Sequence, residues 1–316
     1  MTETGLAPKK LAGFEAIGKA FRFVFGNLQH LFATAALTLS VILVFQLWYM
    51  SVTIDQTVEL TKAYLSDDPA AMIAATLAFY FSPQTITLVL VSMAISLVFG
   101  GMFAIRWHRS ALFGSNADST GFGFEFSASL RRYVVYGLGI GVIYVAILAI
   151  PAAIAGMGVR SLNVGLSALG GTLLFFGSIA APYVCGRLSL ALPAAALDIP
   201  NFGLGAAWRY SDGYGWGIFW AVVAMAIAAA AVSALIAIPI SLVMGLVNPL
   251  PIQPLTDDLD VLIAWQSEVI RAQSWTQIIP NIFIYPIFTG LFTSLFSYIY
   301  LQIGKPPAWV EEQRAN

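Results

Sequence analysis

Apolar residues run along this chain in long uncharged blocks, and the charges gather between them. Residues 31–54 carry no charge. Nor do residues 69–105, whose later part, 85–105, is one helix length. Blocks 133–159 and 161–186 follow. Blocks 213–256 and 272–304 are longer and hold one span each, at 217–246 and 277–303. A bilayer core of about 30 Å needs roughly 20 apolar residues in a helix. The pattern therefore predicts an all-α membrane protein with six transmembrane helices. The first block starts too late and runs too long for a signal peptide, and no small-residue cleavage pattern follows it.

Shorter amphipathic stretches precede some spans. In "LAGFEAIGKAFRFVFGNLQH", Phe14, Ile17, Phe21, Val24 and Phe25 recur at helical spacing, with Glu15, Lys19 and Arg22 on other sides. This predicts a helix lying in the membrane interface. "FGFEFSASLRRYVVYG" leads into span three and "GLGAAWRYSDGYGWGIFW" into span five in the same way. The even spans end alike, on an aromatic residue (Phe103, Tyr183, Tyr298 or Tyr300) followed by the first cation. A single integral membrane domain over residues 1–316 is expected. It would be built from three helical-hairpin repeats near 12–114, 121–195 and 203–306. Between spans one and two, Asp68-Pro69 opens a short helix through "AAMIAATLAFYF", and Ser82-Pro83 starts span two. Between spans five and six, "DDLDVLIAWQSEVIRAQSW" predicts a separate amphipathic helix on the membrane surface.

Composition agrees with this class. Charged residues make up 10% of the chain, where a soluble domain carries about 25%, and the mean hydropathy is +0.82. The formal net charge of -1 gives no reason to expect nucleic acid. Its distribution is more informative. Lys9, Lys10, Lys19 and Arg22 precede span one, and Arg106, Arg109, Arg131 and Arg132 lie between spans two and three. Arg187 and Arg209 separate spans four and five, and Lys305 and Arg314 follow span six. The alternate loops are acidic, with Asp55, Glu59, Asp67, Asp68, Asp257, Asp258, Asp260 and Glu268. Both termini are therefore expected in the cytoplasm. Trp48, Trp107, Trp216, Trp220, Trp275 and Trp309 fall near predicted span ends, at the depth where indoles settle. Cys185 is the one cysteine, so no internal disulfide is expected.

The sequence offers little catalytic chemistry. No predicted span contains a charged side chain, which argues against proton relays and ion-coupled carriers. "AIRWHRSALFG" at 104–114 concentrates Arg106, Trp107, His108 and Arg109. His108 has no zinc-ligand spacing around it, and no serine–histidine–acid set can be picked out. The stretch is expected to anchor span two at the head-group layer, with Trp107 in that layer. Arg106, Arg109, Arg131 and Arg132 are the candidate lipid head-group contacts, favouring anionic lipid. Pro280 and Asn281 are the candidate intramembrane polar and kink positions, and Pro151, Pro182 and Pro239 are further kink candidates. Asp257, Asp258 and Asp260 lack the glycine and distal glutamate of a calcium loop and read as helix-capping acids. No catalytic, cofactor or metal residues are assigned. Glycines in spans three and four, and the stripe Ala226, Ala230, Ala234 in span five, predict that spans three to five form the central bundle. Spans one and six would then face lipid more.

At "IRWHRSALFG", "GRLSLALPAAALD" and "AAWRYSDGYGWGIF", the chain resembles the YciC-like group of uncharacterised bacterial inner-membrane proteins. It likewise resembles the related membrane domain found beside glycerophosphodiester phosphodiesterase domains. The resemblance implies a six-span helical protein of the bacterial inner membrane and no catalytic residues. Only "PPAWVEEQRAN" follows Lys305, so the phosphodiesterase activity is not expected. A non-enzymatic protein of envelope or lipid homeostasis is the expected function, with membrane lipids as partners. The alternatives are a passive scaffold or subunit of a membrane complex, and a small-molecule transporter without intramembrane charge coupling. A ligand-sized cavity between spans three to six would favour the first, and a flat apolar groove the scaffold.

Overall fold

A computed structural model describes residues 11–65, 68–114, 127–161, 163–247, 249, 251–256 and 258–304. It is all-helical, with ten helices among these residues. They are α1 (Gly13–Gly26), α2 (Leu28–Leu65), α3 (Pro69–Phe81), α4 (Pro83–Phe113), α5 (Ala128–Arg160), α6 (Val164–Leu188), α7 (Ala191–Ala196), α8 (Leu204–Tyr210), α9 (Gly215–Val247) and α10 (Leu259–Ile303). Six stretches are long and apolar enough to cross a membrane: Leu28–Ile54, Pro83–Phe113, Ala128–Gly158, Val164–Ala196, Gly215–Val247 and Ile278–Ile303. The chain is a multi-pass membrane protein.

The helix starts follow from local hydrogen bonding. Ser82 Oγ accepts from Thr85 N at 3.1 Å ahead of α4. Ser127 Oγ accepts from Leu130 N at 3.2 Å ahead of α5, and Asn163 Oδ1 accepts from Leu166 N at 3.0 Å ahead of α6. Each satisfies one of the N–H groups that a helix start leaves without an internal partner.

The helix ends depart from the predicted spans where nothing stops the helix. α2 runs for 38 residues, beyond the uncharged block, because no glycine or proline interrupts the sequence before Pro69. The predicted surface helix between spans five and six is instead continuous with span six, in the 45 residues of α10. At about 1.5 Å per residue each helix exceeds the roughly 30 Å of a bilayer core. α10 passes through Pro280 and Pro286 without breaking, as transmembrane helices tolerate. The predicted lead-in to span three lies largely at 115–126, outside the described residues. Arg131 and Arg132, expected in that lead-in, sit in the first turns of α5 itself.

The chain divides into two compact units. One gathers the described residues of Met1–Thr34, Gly101–Ala230 and Phe288–Asn316. In this unit α1 packs its small side chains inward: Ala16, Ala20 and Val24 are buried. Phe14 and Phe25 point elsewhere and are exposed. The predicted apolar face is therefore two faces. Val24 belongs to a protein-facing row, and Phe14, Ile17, Phe21 and Phe25 to an outer row. That arrangement suits a helix lying along a membrane surface.

The second unit gathers the described residues of Ala35–Gly100 and Ala231–Ile287. Side-chain hydrogen bonds join α2 to α4 within it. Thr38 Oγ1 donates to Phe99 O at 2.8 Å, Gln56 Nε2 donates to Gln84 Oε1 at 2.9 Å, and Thr85 Oγ1 donates to Gln56 Oε1 at 3.3 Å. Trp265 Nε1 donates to Pro251 O at 2.8 Å, tying α10 to the segment before it.

The expected central bundle is not the one observed. Half of the apolar window of α10 (50%) and 39% of that of α4 are buried in protein, against 0% of that of α5. Spans two and six are the best covered, and span three the least. In α9 the buried stripe is Ala221, Met225 and Ala229, while Ala226, Ala230 and Ala234 are exposed. Both stripes have helical spacing. A helix apolar on every side has no polar face to say which stripe turns inward.

Candidate functional site

The stretch "AIRWHRSALFG" closes α4, and Trp107 there packs inside the protein. Trp107 is completely buried. Its indole N–H donates to Gly290 O at 3.0 Å and to Ser294 Oγ at 2.9 Å on α10. Glycine at 290 makes the room: a Cβ there would lie 2.7 Å from Leu31 Cδ1 and 3.4 Å from the indole nitrogen. Phe23 of α1, His30 of α2 and Phe103 pack against the ring, at centroid distances of 5.1, 5.7 and 6.2 Å. An indole buried with its N–H satisfied contributes apolar area without leaving an unpaired donor.

Both histidines of the chain meet serines beside it. His30 Nε2 lies 3.0 Å from Ser110 Oγ, and His108 Nδ1 lies 2.7 Å from Ser297 Oγ. Ser297 already donates its hydroxyl proton to Thr293 O at 2.9 Å, so it accepts from His108 Nδ1–H. That fixes the neutral tautomer and leaves Nε2 as an acceptor, 3.5 Å from the Tyr133 hydroxyl. His108 has no carboxylate beside it among the described residues and is 1% exposed. The cluster is a sealed polar seam joining α2, α4, α5 and α10.

The arginines expected at the head groups divide. Arg109 Nε donates to Ala196 O at 2.9 Å. Arg132 donates to Ile199 O at 3.3 Å and pairs with the Asp198 carboxylate, which also accepts from Ser129 Oγ at 3.1 Å. Arg109 and Arg132 thus meet on the turn after α7. Asp198 adopts a φ of 60° there, a left-handed conformation that aspartate tolerates better than most residues. Arg106 is half-buried and Arg131 exposed. Pro280 is buried, and Asn281 is exposed without a hydrogen bond to any described residue. Asp257 lies outside the described residues, among which no three metal-ligating side chains cluster.

Arg187, read only as a charge marker, ends α6 as a buried clamp. Its guanidinium lies 3.7 Å from the centre of the Trp208 ring. Nε donates to Ser211 Oγ at 2.8 Å and Nη2 to Trp208 O at 2.7 Å, and Asp212 supplies a carboxylate at 3.6 Å. Tyr210 stacks on Tyr300 and donates to its carbonyl at 3.1 Å. Burial, with the Tyr300 phenol beside it, pushes the Tyr210 hydroxyl above its usual range.

One cleft in this unit has the size and chemistry of a binding site. Lys19, Arg22, Phe23 and Asn27, of α1 and its C-terminal cap, face Tyr298, Leu301 and Gln302 of α10 across about 550 Å³. Ligand sites commonly fall between roughly 300 and 1,000 Å³. The helical spacing of Lys19, Arg22 and Phe23, and of Tyr298, Leu301 and Gln302, puts each trio on one side of its helix. Asn27 Nδ2 donates to Phe23 O at 2.8 Å and closes α1 at the cleft edge. Lys19 pairs with Glu15 at 2.7 Å, and that hydrogen bond holds the Glu15 carboxyl below its usual range. Gln302 Oε1 is buried without a hydrogen-bond partner among the described residues. This cleft lies between α1 and span six, not between spans three to six, where a cavity would have favoured amphiphile handling. The sequence carried one signal for it, an amide in the otherwise apolar "YIYLQIG". Nothing in the sequence placed α1 opposite α10.

Comparison with protein-family models, curated proteins and solved structures gives no match for the chain.

Proposed function

We propose that the chain is a non-enzymatic protein of a bacterial inner membrane that holds an amphiphile, in the service of envelope or lipid homeostasis. The cleft between α1 and α10 carries this reading, because it sets two cations beside an aromatic and aliphatic wall. An amphiphile needs both surfaces at once: a polar head meets Lys19 and Arg22, and its apolar part meets Phe23 and Leu301. The outer phenylalanine row of α1 supports the reading by setting that helix along a membrane surface. Both termini are cytoplasmic in this reading, since lysines and arginines gather at the end of the spans where α1 begins. The resemblance of the short arginine- and tryptophan-bearing motifs to inner-membrane proteins points the same way. Lys19 and Arg22 are the cations it uses first, since Arg109 and Arg132 already give donors to the turn after α7.

Native mass spectrometry of the protein exchanged into mild detergent tests the reading. The wild type is expected to keep a bound lipid, and the double substitution Lys19→Gln, Arg22→Gln to lose most of it. A wild type that sheds all lipid, or a double variant that retains it unchanged, would overturn the proposal.

A further inference from the structure

We infer that the ligand head group in this cleft is a phosphate ester carrying a free hydroxyl, of the glycerol phosphate class. The inference rests on the amphiphile-binding reading and names the chemistry that the cleft would select. Lys19 and Arg22 are three residues apart on α1 and converge on one side of the cleft. Among the described residues Arg22 has no carboxylate partner. Lys19 is held only by Glu15, in a pair with both side chains about half exposed. Such surface pairs are weak, so an anion can take the lysine from its neighbour. Two adjacent cations beside a partly apolar wall fit a phosphate.

The opposite wall adds a requirement that a bare phosphate does not meet. Gln302 Oε1 is a buried acceptor with no donor among the described residues, and a buried polar atom without a partner is costly. A fully ionised phosphate only accepts, so it leaves this atom unpaired, and the comparison with phosphatidic acid is made at a pH that ionises it fully. An N–H or O–H on the ligand would supply its partner. A ligand ammonium would sit in the same cleft as Lys19 and Arg22 and be repelled by them. A neutral hydroxyl donates to Gln302 Oε1 without that conflict. The Tyr298 ring and Leu301 then cover the carbon skeleton between phosphate and hydroxyl. A phosphatidylglycerol head has this order of groups. Phosphatidic acid lacks the hydroxyl, and phosphatidylserine and phosphatidylethanolamine carry ammonium instead.

Lipid competition read by native mass spectrometry tests this on the whole chain. The lipids are phosphatidylglycerol, phosphatidic acid, phosphatidylserine and phosphatidylethanolamine of matched acyl chains. The wild type is expected to retain phosphatidylglycerol over each of the others by about fivefold or more. Gln302→Leu should abolish the preference over phosphatidic acid while keeping the preference for anionic lipid over phosphatidylethanolamine. Arg22→Gln should do the reverse. Equal retention of phosphatidylglycerol and phosphatidic acid by the wild type would overturn the inference and leave the amphiphile reading standing. That ratio needs no variant to fold. An unchanged ratio in a folded Gln302→Leu protein would overturn the inference as well. Displacement of phosphatidylglycerol by free glycerol phosphate, at a concentration matching the lipid's, would keep the head-group chemistry and sink the amphiphile reading. Retention of no lipid, together with no binding of free glycerol phosphate, would sink both.

Discussion

α4 and α10 meet through side chains that reach across, whereas α5 and α6 meet where side chains are missing. At the first contact Trp107 extends to Gly290 and Ser294, and His108 to Ser297. At the second, an added Cβ at Gly158 would come within 2.6 Å of Ser167 Oγ, one at Gly170 within 2.7 Å of Ala155 Cβ, and one at Gly177 within 3.2 Å of Ile147 O. Both contacts lie in the same unit, and both helix pairs are apolar enough to span a bilayer. The difference follows from the solvent. Lipid tails are as apolar as leucine, so hydrophobicity alone gives two helices no reason to meet. Association needs either a hydrogen bond that lipid cannot offer or a backbone approach close enough to gain dispersion contacts. The seam uses the first device, the hairpin the second. The hairpin leaves its first helix uncovered, with Val135, Val142 and Val145 all exposed.

The comparison breaks most sharply at Trp107. Trp107→Ala removes the largest buried side chain of the seam and leaves Ser294 without the indole donor. The loss expected is about 3–5 kcal/mol, as for large-to-alanine changes in cores. Reversible unfolding in mixed micelles or bicelles would measure it. A loss below about 1 kcal/mol would mean that the indole is not packed into the seam.

That seam illustrates what the chain disclosed and what it withheld. The six spans were legible because an uncharged run of about 20 residues has few other readings. Their number and order, and the start of α4 at Ser82-Pro83, follow from local chemistry. The ends of α2 and α10 were less legible, since a helix continues past the bilayer wherever no residue stops it. Partner choice was hardest. Glycine density drew attention to spans three and four, and Gly170 and Gly177 do face α5. The seam depends on Gly290, Ser294 and Ser297, a small-residue stripe at helical spacing in a span that reads as rich in Phe and Leu. Trp107 carried two cues, adjacent arginines and a serine-rich partner, and only the first was visible locally. The cleft was the least legible element. Lys19 and Arg22 served as topology markers, and their relation to Gln302 exists only once α1 and α10 are packed.

A second break sharpens the hairpin half of the comparison. Gly170→Leu places atoms against the backbone of Ala155 and forces α5 and α6 apart, at a cost of about 1–3 kcal/mol. Its neighbour provides the control. An added Cβ at Gly171 meets nothing within 4 Å, so Gly171→Leu should leave unfolding unchanged or slightly improved through better helix propensity. Equal destabilisation by both substitutions would show that glycine at these positions serves backbone flexibility rather than close packing.

The smallest expected effect concerns α9, where neither device is obvious and only the phase of the helix is at stake. Ala229 is 1% exposed, while Ala230 is exposed. The two differ by about 100° around the helix axis. Ala229→Leu pushes extra methyl groups into protein and should cost about 1–3 kcal/mol. Ala230→Leu adds them toward the outside, where hydrocarbon accommodates them, and should change stability by no more than about 0.5 kcal/mol. The sequence alone favours the opposite result, because Ala226, Ala230 and Ala234 form a small-residue stripe of the kind that packs helices together. Unfolding of the two single variants under identical conditions decides between the phases. A larger loss at Ala230 than at Ala229 would rotate the helix and put the alanine stripe back at a helix contact. A larger loss at Ala229 would leave Ala221, Met225 and Ala229 as the buried face, and make the exposed alanines a consequence of composition rather than packing.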